Sequence, residues 1–231
     1  MPIIKNNISS IQRRLQQTVS DAGRTANEVL LLAVSKTRTS TQIKAALAAG
    51  ITSFGENYLQ EALEKIDQLS SAKLDWHFIG PLQSNKTRLA AENFSWIHSV
   101  DRLKIAQRLS DQRPSTMAPL NLCLQINIDN EPSKSGFSAQ QALAAAADIA
   151  NLPNVKLRGL MAIPQSRTDL KAQRTPFIKL RQLKDQINSL LDNSQKLDTL
   201  SMGMSGDMDA AILEGATIVR VGTDIFGPRD R

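Results

Sequence analysis

The chain has 231 residues, 41% hydrophobic and 22% charged, enough for one packed core and ordinary for a soluble globular domain. Its 28 basic and 22 acidic residues give a formal charge of +6, but the basic residues are scattered singly or in pairs such as Arg13-Arg14, which argues against a clustered nucleic-acid footprint. One cysteine, Cys123, excludes an intrachain disulfide framework; with no run of the ~18 apolar residues that span a membrane and no signal-peptide pattern, a cytoplasmic protein with no membrane partner is expected.

Taken in order, residues 4–19 predict an opening helix, with Ile4, Ile8, Ile11, Leu15 and Val19 on one stripe. The run 29–35 is a buried strand by its continuous aliphatic character, and it ends at Lys36. Thr39, Ser40 and Thr41 are candidate N-caps for a helix over 40–49. A short strand at 52–54 precedes a helix over 57–69 with Leu59, Leu63 and Ile66 toward the core. Strands at 76–79 and 96–99 are followed by helices near 84–92 and 101–111. A strand at 120–128 leads to an alanine-rich helix at 138–150, and a strand at 155–163 to a helix near 170–191. A strand at 199–202, a short helix at 207–214 and a strand at 217–221 complete the series, with a last turn after Thr223.

Eight strands alternating with helices through short connections predict an α/β fold, a single (β/α)8 TIM barrel over 1–231 with an extra N-terminal helix. A doubly wound open sheet is the structural alternative. In a barrel the chemistry gathers where strands end at their C-termini. Lys36 stands at such an end, where it is either heading for solvent or placed in a site. In the fifth strand Leu122, Leu124, Ile126 and Ile128 alternate with Cys123, Gln125 and Asn127, which sends the polar set inward. Ser205-Gly206 and Gly222-Thr223 follow the seventh and eighth strands, the usual phosphate position of this fold, although glycine and serine are also ordinary turn residues. Two such loops facing a lysine point to a phosphorylated ligand held by a central lysine. Pyridoxal 5′-phosphate (PLP) fits, because its aldehyde forms a Schiff base with lysine and its ring nitrogen wants a protein partner. Arg220 shares strand parity with Gly222 and is the candidate for that nitrogen, with a structural ion pair as the alternative role. Two histidines, His77 and His98, and no cysteine cluster argue against a metal site.

The segments Leu32-Ala33-Val34-Ser35-Lys36-Thr37, Phe54-Gly55-Glu56-Asn57-Tyr58, Trp76-His77-Phe78-Ile79-Gly80-Pro81-Leu82-Gln83-Ser84-Asn85-Lys86, Ser133-Lys134-Ser135-Gly136-Phe137, Gly159-Leu160-Met161, Leu200-Ser201-Met202-Gly203-Met204-Ser205 and Val219-Arg220-Val221-Gly222-Thr223-Asp224-Ile225-Phe226-Gly227 resemble the pyridoxal phosphate homeostasis protein family. The similarity runs in order from about residue 5 to the C-terminus. It implies a fold like the N-terminal domain of alanine racemase, Lys36 as the Schiff-base lysine and Arg220 opposite the pyridine nitrogen. It also implies Ser201, Ser205, Gly222 and Thr223 around the phosphate and Asn57 beside the ring. The family's role implies a PLP-binding protein of vitamin B6 homeostasis that carries or buffers the cofactor. Lys134 reads as a solvated loop lysine, and the resemblance adds a second, transient PLP anchor.

A PLP-dependent amino-acid racemase is the competing function. It needs an acid/base group on each face of the substrate carbon. The sequence has one tyrosine, Tyr58, and ends soon after its eighth strand, leaving no room for a second domain to supply another. A barrel isomerase acting on sugar phosphates would want a base in the mouth, and Glu56, the one tempting carboxylate, reads better as a helix-start residue. The expectation is a monomeric carrier without catalytic residues, with PLP-dependent apo-enzymes as possible acceptors.

Overall fold

Eight parallel strands pair in chain order, and the first closes on the eighth to complete a barrel. In the computed structural model the described residues are 2–228. The strands are β1 (Leu30–Val34), β2 (Ser53–Glu56), β3 (Asp75–Phe78), β4 (Trp96–Val100), β5 (Leu120–Ile126), β6 (Val155–Ala162), β7 (Thr199–Ser201) and β8 (Ile218–Val221). The helices are α1 (Pro2–Asp21), α2 (Ser40–Ala48), α3 (Leu59–Gln68), α4 (Thr87–Asn93), α5 (Leu103–Gln112), α6 (Ala139–Ala150), α7 (Leu170–Leu190), α8 (Met208–Leu213) and α9 (Thr223–Phe226). The open-sheet alternative is excluded by the pairing of Leu30 with Ile218 and Leu32 with Arg220 across the closure. Among the described residues no helix is long and apolar enough to cross a membrane.

Period-2 alternation sorts the strand side chains. Ala33, Phe54, Phe78, Ile97, Leu122, Leu124, Leu160, Leu200 and Val219 join the helices in the main apolar core. Inside the barrel the apolar contribution is small: Leu32, Ile79 and Ile218 form one cluster, with Val34 and Trp96 against it. The remaining interior holds buried polar groups, His77, His98, Ser201 and Arg220 among them. A barrel of this type ordinarily fills its interior with branched aliphatics. Buried polar groups persist only when hydrogen-bonded, so this interior must be a connected network.

The structure revises several local expectations. Thr39 is the N-cap of α2, its hydroxyl accepting from the Gln42 amide. The strand expected at 52–54 runs to Glu56, which is therefore a fully buried strand residue and not a helix start. On α3 Ala62 and Lys65 are buried and Leu59 and Ile66 pack against the core as expected, while Leu63 is only half-buried. A fully buried carboxylate needs a counter-charge, and that rotates Lys65 onto the buried side. Asn127 lies beyond the end of β5, where its side-chain amide donates to the carbonyls of Glu131 and Lys134 and shapes the following loop. Cys123 is wholly buried, and Gln125 donates to the Ser135 carbonyl.

Candidate functional site

At the C-terminal end of the barrel a cavity of about 260 Å³ is lined by Lys36, Asn57, Ser205, Arg220, Gly222 and Thr223, with Val34, Ile79, Ile163, Met204, Arg38 and Gly206 completing its wall. Its size is near the low end of small-molecule sites, roughly 300–1,000 Å³, which suits a compact ligand. Six of the seven residues singled out from the sequence thus share one cavity. The seventh, Ser201, lies beneath it, fully buried. The Ser201 hydroxyl accepts from Arg220 Nη1 at 2.8 Å and pairs with His98 Nδ1 at 2.7 Å.

The turn that presents Lys36 is held on both sides. Lys65 Nζ donates to the Ser35 carbonyl at 2.7 Å, to Glu56 Oε1 at 2.7 Å and to Glu61 Oε1 at 2.5 Å. Glu61 Oε1 accepts the backbone N–H of Thr37 at 2.6 Å, and the Ser35 hydroxyl donates to Glu56 Oε1 at 2.6 Å. Thr37 takes φ +62°, a left-handed conformation that β-branched residues rarely adopt. The clamp around it supplies the stabilisation such a conformation needs.

Arg220 projects from β8 between the cavity and the barrel interior. Nη2 donates to the Ala162 carbonyl at 2.9 Å, so both terminal nitrogens are fixed. Burial lowers its pKa to about 10, with Asp207 and Cys123 opposing the shift. It stays cationic near neutrality, and a guanidinium donates hydrogen bonds without supplying a proton. Burial raises the Cys123 thiol to about 12, which keeps it neutral.

The loop after β7 is shaped by Asp207, whose Oδ1 accepts from the Met204 amide at 2.6 Å. Burial pushes its carboxyl above the usual range against that bond and the charge of Arg220. Gly203 has φ +90°, and a Cβ there would stand 2.5 Å from the Ala211 side chain, so the chain can turn here only with glycine. Gly80 serves Asn57 in a different way: a Cβ on Gly80 would meet the Asn57 carbonyl oxygen at 2.0 Å. Asn57 Oδ1 is buried with no hydrogen-bond partner. A buried acceptor left open in a cavity wall is a place for a ligand donor or a water.

Arg38, which the sequence reading passed over, is buried at the rim and donates to the carbonyls of Gly227 and Pro228, tying the last turn to the cavity. Its spacing of two from Lys36 was the available signal. Lys134 lies outside the lining; it forms an ion pair with Glu131 at 2.5 Å and donates to the carbonyl of Ile163, a lining residue, at 3.3 Å, so it is not simply solvated. Tyr58 is 53% exposed and outside the lining. Among the described residues no group of three or more His, Cys, Asp or Glu side chains could hold a metal ion.

Comparison with known proteins is consistent across sequence and structure. The family model for the N-terminal domain of alanine racemase matches residues 4–230. The chain is 54% identical over 230 residues to the pyridoxal phosphate homeostasis protein of Pseudomonas aeruginosa, covering 100% of this chain and 97% of that one. It is 47% identical to the protein of the same name from Escherichia coli K12, covering 98% and 97%. A structure of PipY from Synechococcus elongatus with PLP bound is 36% identical with a TM-score of 0.85, covering 97% of this chain and 100% of that one. The alanine racemase of Corynebacterium glutamicum is 15% identical with a TM-score of 0.73, over 100% of this chain and 62% of that one, a likeness of fold alone.

Proposed function

The chain belongs to the pyridoxal phosphate homeostasis protein family, and from that premise we propose that it binds PLP covalently through Lys36 and carries or buffers it. The observation that carries this reading is one cavity lined by Lys36, Arg220, Asn57 and the loops 205–206 and 222–223. The residues fit the cofactor: Asn57 Oδ1 is a buried acceptor awaiting a partner, and Gly222 sets bare backbone in the wall close against Val34, where a Cβ would stand 3.2–3.3 Å away. PLP supplies an aldehyde that condenses with a lysine amine and a ring that can withdraw electrons from the carbon attached to that nitrogen. Lys36 would supply the amine, Ser205, Gly206, Gly222 and Thr223 would take the phosphate, and Asn57 would lie beside the ring. Arg220 would take the ring nitrogen as a fixed donor, and without a proton on that nitrogen the ring is a weak electron sink.

That electronic setting favours holding over turnover. A racemase reading needs a second acid/base group in the cavity, and Tyr58, the sequence's one tyrosine, lies outside the lining. Lys134, bonded to the carbonyl of the lining residue Ile163, offers a second amine for cofactor entering or leaving. The same reading has a monomer working in the cytoplasm and handing PLP to PLP-dependent apo-enzymes.

Paired titrations with PLP and pyridoxal test the reading. Backbone donors that lose their anion leave pyridoxal far weaker, by a factor of ten or more, since a charge-assisted bond is worth about 1.5–3 kcal/mol. Equal affinities would remove the phosphate site.

A further inference from the structure

An unbroken hydrogen-bonded line crosses the barrel beneath the cavity. Asp75 Oδ2 pairs with His77 Nε2 at 3.0 Å, and His77 Nδ1 with His98 Nε2 at 2.9 Å. His98 Nδ1 pairs with the Ser201 hydroxyl at 2.7 Å, which accepts from Arg220 at 2.8 Å. Both imidazoles are wholly buried, whereas the Asp75 side chain is 40% exposed at the start of β3. The line thus joins solvent at one end of the barrel to the cavity-lining arginine at the other.

Its ends dictate where the hydrogens lie. Arg220 only donates, so Ser201 receives a hydrogen from it and is free to give its own to His98 Nδ1. That nitrogen must then be unprotonated, and His98 carries its hydrogen on Nε2 and donates to His77 Nδ1. His77 in turn donates from Nε2 to the Asp75 carboxylate. Every contact is satisfied with two neutral rings. The reverse order would give Ser201 two incoming hydrogens. It would also require either an imidazolium at His77 or a proton on Asp75. Burial would raise Asp75, but hydrogen bonds from His77 and Ser95 outweigh it and hold the carboxyl low. Burial, aided by the charge of Arg220, lowers His98 well below the usual imidazole value.

We propose that Asp75, His77, His98 and Ser201 act as positioning residues for Arg220, an ordered chain of donors, both rings Nε2–H tautomers, that fixes the guanidinium and conveys the state of Asp75 to the cavity. The inference rests on the PLP reading only for its effect on cofactor affinity. Asp75 on β3, Trp96 on β4, Cys123 on β5, Arg158 on β6, Asp198 just before β7 and Arg220 on β8 are the titratable, charged or aromatic neighbours around the rings and their surroundings. Trp96 stacks on His77 at 5.4 Å, and Arg158 lies over Trp96 at 5.0 Å while pairing with Asp198. Those two charges compensate each other, leaving Asp75 and Arg220 to set the polarity.

The chain's two histidines make the test direct. Two-bond ¹⁵N–¹H correlation spectra of the ¹⁵N-labelled apo-protein near neutral pH report which ring nitrogen is protonated, with His77→Gln used for assignment. Both rings should give the Nε2–H pattern. Asp75→Asn keeps an acceptor and removes the charge; it should move the His98 Nδ1 shift and weaken PLP binding about fivefold, the low end of coupling between separated sites. An imidazolium or an Nδ1–H ring in the wild-type spectrum overturns the proton order. An Asp75→Asn protein with both the His98 shift and PLP affinity of wild type overturns the positioning role. A wild-type protein that binds no PLP removes the cofactor reading while the tautomer result still decides the chain's order.

Discussion

At the scale of single residues, Glu56 has one oxygen bonded to Ser35 and Lys65 and a second buried without a partner. Burial raises its pKa, opposed by the charge and hydrogen bond of Lys65 and by Ser35. The folded state therefore keeps this proton to higher pH than the unfolded chain, and the group lowers stability as pH rises from the ordinary carboxylate value of 4.5 through the raised one. Lys65→Met removes the opposing ammonium and leaves an uncompensated buried charge, which costs about 3–5 kcal/mol. Denaturant unfolding near neutral pH should show that loss, and it should shrink toward mildly acidic pH as Glu56 takes a proton. A loss independent of pH would mean that Glu56 is not the group left exposed by the change. Gly80→Ala should displace Asn57, because nothing but backbone stands 2.0 Å from the new methyl; weakened PLP binding with a destabilisation of about 1–3 kcal/mol is expected. The positions of Lys36 and Arg220 at one end of the barrel were legible from strand ends and parity, although solvent for the one and a structural ion pair for the other stayed open until the cavity was seen. Glu56 was not, since Gly55-Glu56-Asn57 has the composition of a turn and only the burial of Lys65 on α3 explains its place in the strand. The contact between His77 and His98 was equally out of reach, because it depends on the register of β3 against β4, where only His77 with Trp96 and Phe78 with Ile97 pair.

At the scale of elements, α1 does more than cover the barrel. It packs on α8 and α9, the two turns that follow the loops at 205–206 and 222–223. Asn7 donates to the Ile225 carbonyl at 3.0 Å, and Arg14 reaches Asp209 at 3.0 Å and the Ser205 carbonyl at 3.4 Å. The Arg14 and Asp209 side chains are 43% and 40% exposed, so the pair itself adds less than about 1 kcal/mol to stability. Arg14→Ala should consequently shift Tm by no more than about 2–4 °C while lowering PLP affinity about fivefold, the worth of one hydrogen bond shaping the loop. A variant that loses Tm but keeps wild-type affinity would make α1 a cover and nothing more. The stripe Ile4, Ile8, Ile11, Leu15 predicted the helix and its buried face. Which loops it braces was not legible, because the polar residues between carry no period of their own.

At the scale of the whole molecule, the closed barrel brings the C-terminal ends of β1, β2, β3, β6, β7 and β8 around one cavity, and the alternation of aliphatic and polar positions decided which side chains reached it. Regular βα repeats predicted a barrel but left an open sheet as the alternative until β1 was seen paired with β8, and the polar interior emerged only once the strands were set side by side. A holding role predicts that L-amino acids incubated with the loaded protein in D₂O exchange their Cα proton far more slowly than ~1 s⁻¹, the low end of enzyme turnover; faster exchange that disappears in Lys36→Ala would make the protein an enzyme. The central claim is the lysine that holds the cofactor. Borohydride reduction of the PLP-loaded protein followed by peptide mapping reads it directly. Reduction should bleach the visible band of the lysine-linked cofactor and leave the pyridoxyl group on Lys36, and Lys36→Ala should lose that band or retain a weaker one from label at Lys134. A wild-type protein labelled elsewhere, or a Lys36→Ala protein with an unchanged spectrum, would contradict it.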